Sequence, residues 1–186
     1  MDIKKHIVNF KISVIGSARE DEIDTRAREK AYEVGKVIAE NNCVLLTGAG
    51  RGISEYAAMG AKDNKGLTVG ISPANNLEEH KNVFKAPYSV FDILLFTGFG
   101  YKGRNVILIR SCDAVVAING GIGTLNELTI ALDEGKQIGI LEETGGTSDS
   151  FLKYFQEIKE SRNYEKQVIS SRDPKSLIAK LINKIV

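Results

Sequence analysis

Short apolar runs alternate with longer amphipathic stretches along almost the whole chain, and that alternation leaves few folds open. Phe10 to Ile15 is β-rich and stops at Gly16, Cys43 to Leu46 stops at Thr47-Gly48-Ala49-Gly50, and Leu67 to Ile71 stops at Ser72-Pro73. Ile93 to Phe96, Ala114 to Ile118, Gln137 to Leu141 and a short run at Gln167 to Ile169 follow. Between them, Ala27, Ala31, Val34, Val37 and Ile38 recur at helical spacing, which predicts a helix over 25–40. Further helices are predicted over 53–61, 103–112, 124–134 and 149–161, and Asp173-Pro174 opens a last one with proline at its first position. Ala74 to Phe91 is polar and reads as irregular, and Thr144 to Ser148 as loop.

Strands separated by helices imply a parallel sheet with right-handed crossovers. The strands are apolar runs more than alternations, as expected when both faces of a sheet are covered. The expected architecture is therefore an α/β, Rossmann-like doubly wound parallel sheet of about seven strands with helices on both faces, in a single nucleotide-binding domain spanning 1–186. A chain of this size can bury roughly 70% of its unfolded surface, so a real core is feasible.

Charge narrows the partners. The 25 basic and 24 acidic residues leave a net charge of +1, and no block of like charge runs five long. Nothing builds the basic stripe of a non-specific nucleic-acid binder, so neither nucleic acid nor a membrane surface is an expected partner. No apolar run approaches the roughly 20 residues of a membrane span, and Met1 to His6 leads into a strand without the apolar segment of a signal peptide. The expected location is cytoplasmic. Cys43 and Cys112 sit in or beside apolar runs and read as buried reduced thiols. With no Cys-x-x-Cys and only His6 and His80, no metal site is expected.

In such sheets ligands sit at the carboxyl ends of strands, near the point where strand order reverses. The strongest loop there is Asn119-Gly120-Gly121-Ile122-Gly123-Thr124, which leaves a buried run and opens a helix. Its glycines let backbone approach a ligand, and a helix N-terminus suits phosphate. Glu127 follows, either as the last member of a Thr-x-x-Glu capping box starting at Thr124 or as a functional carboxylate facing a sugar. Thr47 to Gly52 is a second glycine-dense loop, which lacks the Gly-Lys-Ser/Thr of a Walker loop. Gly16-Ser17-Ala18-Arg19 is a third, with Ser17 either a ligand contact or a helix cap. Gly98 to Gly103 matches Gly-x-Gly-x-x-Gly, but the next strand ends in Asn119 where a dinucleotide site wants an acid. Arg104 follows it, either reaching a ligand or solvated at a helix start. Ser-His-Asp catalysis is not expected, since neither histidine falls at a strand's carboxyl end.

These loops together resemble the LOG-like Rossmann family, which includes cytokinin-activating phosphoribohydrolases and molybdenum-cofactor carrier proteins. The family hallmark Pro-Gly-Gly-x-Gly-Thr-x-x-Glu matches Asn119 to Glu127 in all but the proline. Gly16-Ser17, Thr47 to Gly52 and Ala58-Met59-Gly60-Ala61 extend the resemblance over roughly residues 10 to 141. Some members carry a lysine-decarboxylase label, yet no pyridoxal-phosphate lysine motif stands out here.

The resemblance implies a phosphorylated, nucleotide-like ligand contacted by Gly16, Ser17, Thr47, Gly48, Gly50, Gly120, Gly121, Ile122, Gly123 and Thr124. It implies Arg104 and Glu127 as catalytic residues for hydrolysis of the N-glycosidic bond of a nucleoside 5′-monophosphate, with no cofactor required. The alternative is a non-catalytic carrier or sensor of a nucleotide or molybdenum–pterin cofactor. The family's lysine beside the arginine is Asn105 here, which favours the carrier branch. A homodimer or homotetramer is implied as well.

Overall fold

In the computed structural model all seven strands join one parallel sheet in the order β4-β3-β2-β1-β5-β6-β7. The structure describes residues 10–158 and 164–185. The Met1 to His6 stretch and the last residues of the helix expected to reach Ser161 lie outside them. The strands are β1 (Lys11–Gly16), β2 (Val44–Thr47), β3 (Thr68–Ser72), β4 (Ile93–Phe96), β5 (Ala114–Ile118), β6 (Gln137–Leu141) and β7 (Val168–Ser171). The helices are α1 (Thr25–Glu40), α2 (Ile53–Asp63), α3 (Leu77–Asn82), α4 (Gly100–Ser111), α5 (Ile122–Asp133), α6 (Gly146–Ile158) and α7 (Pro174–Ile185).

The apolar runs are continuous because each strand feeds two cores. Ile12 and Val14 of β1 and Ala114, Val116 and Ile118 of β5 pack with α1, α2 and α7. Ile15, Val115 and Ala117 pack on the opposite side with Leu108 and Ile109 of α4, Leu128 and Ala131 of α5, and Phe151 and Phe155 of α6. Both cysteines are free and buried, and burial pushes the Cys112 thiol up to about 12. Among the described residues no helix is long and apolar enough to cross a membrane.

From β1 the chain works outward to β4, then returns to lay β5 on the other side of β1. The order therefore reverses between β1 and β5, and a crevice opens above their carboxyl ends. β4, at the sheet's edge, exposes Ile93, Leu95 and Phe96.

Three local expectations are corrected. The stretch from Ala74 to Phe91 contains α3, capped by the Asn76 side chain accepting from Glu79 N at 2.9 Å. A six-residue helix that buries only His80 offers no apolar period to read. The helix after β6 starts at Gly146, because Asp149 gathers the amides of Glu143 and Gly145 into a tight turn ahead of it. Thr124 is not a helix cap: α5 opens at Ile122 behind Gly121, so Thr124 and Glu127 fall inside the helix.

The first two crossover helices touch through glycine. A Cβ on Gly35 of α1 would stand 1.9 Å from Ala57 O, and one on Gly60 of α2 would stand 1.9 Å from Tyr32 O. Helix propensity alone would make Gly35→Ala stabilising by about 1 kcal/mol. The clash is with backbone, which cannot swing aside, and overpacking costs about 1–3 kcal/mol. Gly35→Ala is therefore expected to lower stability by up to about 2 kcal/mol in urea unfolding; a more stable variant would show that the helices are free to separate.

Candidate functional site

The crevice is a cavity of about 540 Å³ walled by the loops after β1, β2 and β5 and by the first turn of α4. That volume is in the range of sites for cofactor-sized ligands. At its floor Arg104 of α4 meets Glu127 of α5, Nη1 to Oε1 at 3.3 Å, with side chains only 11% and 8% exposed. The β2 loop can close on this pair only because it carries glycine: a Cβ on Gly48 would stand 1.8 Å from Arg104 Nη1. Asn105 is buried beside the pair. With its amide nitrogen toward α5 it donates to Glu127 Oε1 at 3.1 Å and to Tyr101 O at 2.9 Å, and its oxygen faces the Asn126 amide at 2.9 Å.

Desolvation governs the charges. Burial pushes the Glu127 carboxyl up to about 7, against the pull of Arg104 and Lys102. Burial also pulls Arg104 down, against the pull of Glu127, but a guanidinium stays protonated at any working pH. The buried cation thus faces a carboxyl that is only part-ionised near neutrality, and Arg104 Nε has no hydrogen-bond partner among the described residues. Arg19, Arg51 and Lys102 also line the cavity, against Glu22 as the other acid. Arg51 and Lys102 have no ion pair among the described residues. Arg19 pairs with Glu22 at 2.9 Å, and Ser17 Oγ donates to the same carboxylate at 3.2 Å. Cationic side chains thus outnumber acidic ones four to two in the cavity lining.

The β5 loop supplies the remaining polar surface. Ile122, Gly123 and Thr124 open α5, where N–H groups have no helical acceptor. A Cβ on Gly121 or Gly123 would meet nothing within 4 Å, so the backbone there is bare to the cavity. Phe84 and Tyr101 line the cavity too, their rings edge to face with centroids 5.3 Å apart. That wall suits a planar ring.

Ten of the twelve residues singled out by sequence line this cavity: Gly16, Ser17, Gly48, Gly50, Arg104, Gly121, Ile122, Gly123, Thr124 and Glu127. Thr47 and Gly120 do not. Thr47 is buried beneath its loop and accepts from Ala49 N at 3.1 Å. Gly120 has φ +106° and packs on the Thr124 side chain, where a Cβ would stand 2.5 Å from Oγ1. Ser17 caps no helix; it accepts from Arg19 N at 3.1 Å within its own turn. The Gly98–Gly103 loop follows the edge strand β4 and runs into the first turn of α4, where Tyr101 and Lys102 reach the cavity wall. His80 lies in α3, yet its Nδ1 is 2.8 Å from Oγ of Ser72, the last residue of β3. Its other ring nitrogen faces Pro87 O at 2.9 Å rather than a carboxylate, and Ser72 and His80 are both fully buried, so the pair anchors the wall bearing Phe84.

Sequence reading missed Lys102, Glu22 and the aromatic wall. Lys102 and Tyr101 sit in a loop discounted as a dinucleotide motif, and Phe84 in a stretch without periodicity.

The Glu127 shift carries a sign. A carboxyl whose folded value lies near 7, above the ordinary 4.5, favours the protonated fold. Its stabilisation is complete below about 4.5 and is lost as pH rises to about 7. The stability of the native chain relative to Glu127→Gln is therefore expected to fall across that window and flatten above it in urea midpoints. Parallel profiles would show that Glu127 ionises freely.

The solved molybdenum cofactor binding protein of Rippkaea orientalis is 31% identical, with a TM-score of 0.78 over 97% of this chain and 99% of its own. The molybdenum cofactor carrier protein of Chlamydomonas reinhardtii is 26% identical, with a TM-score of 0.77 over 95% of this chain and 99% of its own. An uncharacterized protein of Archaeoglobus fulgidus is 40% identical over 133 residues, 72% of this chain and 80% of its own. The model of the SLOG cluster4 family matches residues 9–178, and with this loop set at the β1/β5 crevice the chain belongs to that family.

Proposed function

We propose that the chain binds and carries a phosphorylated, ring-bearing cofactor of the molybdenum–pterin type. The observation that carries this reading is the cavity's division of labour: bare amides at the start of α5 with Arg104 beneath them, and the Phe84–Tyr101 wall for a planar heterocycle. Two similar structures, matched over nearly their whole length, are named for binding or carrying that cofactor. The phosphate would rest on the amides of Ile122 to Thr124, helped by the helix dipole and Lys102. The Asn105–Glu127–Arg104 contacts would hold the floor rigid while no bond breaks.

A second reading is favoured by the buried Arg104–Glu127 pair itself. A carboxyl near 7 is matched to acid–base work at neutral pH, and a carboxylate there could stabilise an oxocarbenium-like transition state. On this reading the ligand is a nucleoside 5′-monophosphate and water cleaves its N-glycosidic bond.

One preparation separates the two. Chain isolated from a host that makes the molybdenum cofactor is expected to yield the fluorescent pterin on oxidation, and to release no ribose 5-phosphate from AMP. Release of ribose 5-phosphate that disappears in Glu127→Gln would establish the hydrolase instead.

The exposed β4 edge, with Leu95 51% and Phe99 68% exposed, is the surface on which a second copy would dock. A homodimer or homotetramer is the expected species in light scattering, and Leu95→Asp is expected to shift it toward monomer.

A further inference from the structure

The turn that opens α6 lies along the back of the glycine loop. Thr147 N donates to Gly120 O at 2.8 Å, and Ser148 N donates to Asn119 O at 3.0 Å. Ser148 Oγ donates to Asn119 O at 2.6 Å, and Thr147 Oγ1 to Gly121 O at 2.9 Å. Three consecutive carbonyls, those of 119, 120 and 121, are thus turned onto residues 147 and 148. In a planar trans peptide the carbonyl and the following N–H point in opposite directions. The N–H groups of Gly121 and Ile122 are therefore directed away from α6, on the cavity side of the loop.

Asn119 closes the arrangement. It holds φ +55°, a value a proline ring forbids. Its own N–H donates to Thr144 Oγ1 at 2.8 Å, a bond a proline would also remove. Its Oδ1 accepts from Gly120 N at 2.6 Å, and its Nδ2 donates to Thr144 O at 2.8 Å. Gly146 allows the two loops to meet, since a Cβ there would stand 2.4 Å from Gly120 O.

We propose that Thr147 is the positioning residue of the anion loop, its hydroxyl locking the Gly121–Ile122 peptide with N–H toward the bound phosphate, and that Asn119 is its fixed hinge. The inference rests on the phosphate reading above and says what makes that loop selective. The Gly121 carbonyl has two donors, Thr147 Oγ1 and Leu125 N at 3.0 Å, and without the Thr147 hydroxyl only the first hydrogen bond of α5 opposes its rotation. Glycine at 120 and 121 puts little steric barrier in the way of peptide rotation. The rotated peptide presents a carbonyl oxygen to the anion, which repels it.

The test compares 6-hydroxymethylpterin monophosphate with the unphosphorylated alcohol by calorimetry, on native chain, Thr147→Val and Thr147→Ser. The native chain is expected to prefer the phosphorylated compound by about tenfold or more, the worth of a charge-assisted hydrogen bond. Thr147→Val is expected to lose most of that ratio while binding the alcohol as before, and Thr147→Ser to keep it. A role confined to stability would lower affinity for both compounds together. An unchanged ratio in Thr147→Val would overturn the inference while leaving the phosphate reading standing. Absence of any phosphate preference in the native chain would overturn the reading itself. If Thr147→Val fails to fold, Asn119→Gly keeps the left-handed backbone and removes the side-chain bonds, and the same loss of ratio is expected of it.

Discussion

A parallel sheet turns all its strand ends the same way, and only where strand order reverses do the following loops part to leave a crevice. In this chain that place lies between β1 and β5, and every feature of the site follows from it. β1 and β2 feed α1 and α2 on one face, while β5 feeds α5 on the other. The glycine loops after β1 and β2 therefore face the amides that open α5 across open space, with Arg104 on the returning helix α4 at the floor. The helices that follow the first two loops, α1 and α2, pack in close contact through Gly35 and Gly60.

Within this frame the Arg104–Glu127 pair is an unusual electrostatic element. Burial opposes both charges, and only one of the two groups can discharge. The site therefore keeps a buried cation with a partner that titrates near neutrality. Such a floor attracts an anion without the basic surface that a polyanion would need, consistent with the chain's near-zero net charge. The same floor can serve carriage or hydrolysis. What tilts the reading toward carriage is outside the pair: Asn105 sits against Glu127, and the structures matched over nearly their full length are named as cofactor binders.

The sheet was legible because β-branched and leucine runs such as Ala114 to Ile118 are buried on both faces and leave no room for another reading. The anion loop was legible because Gly121 and Gly123 have no packing role that would explain them. Glu127 was ambiguous in sequence, since a capping box and a buried carboxylate share the same spacing; the start of α5 at Ile122 decides it. Thr147 was invisible because its partner Gly121 lies 26 residues away and its role is to bond backbone. α3 and Phe84 were hidden for a related reason: a polar stretch pinned by one buried histidine carries no period. In the sequence hydrolysis stands ahead of carriage because the residues common to both, Arg104 and Glu127, are the ones a motif displays.

The most direct test of the account is the amide proton spectrum of the chain during titration with 6-hydroxymethylpterin monophosphate. Phosphate seated on the start of α5 predicts the largest downfield shifts at Ile122, Gly123 and Thr124, smaller ones at Tyr101 and Lys102, and little change along α7. Shifts centred on α7, or scattered over the surface with the start of α5 silent, would contradict it.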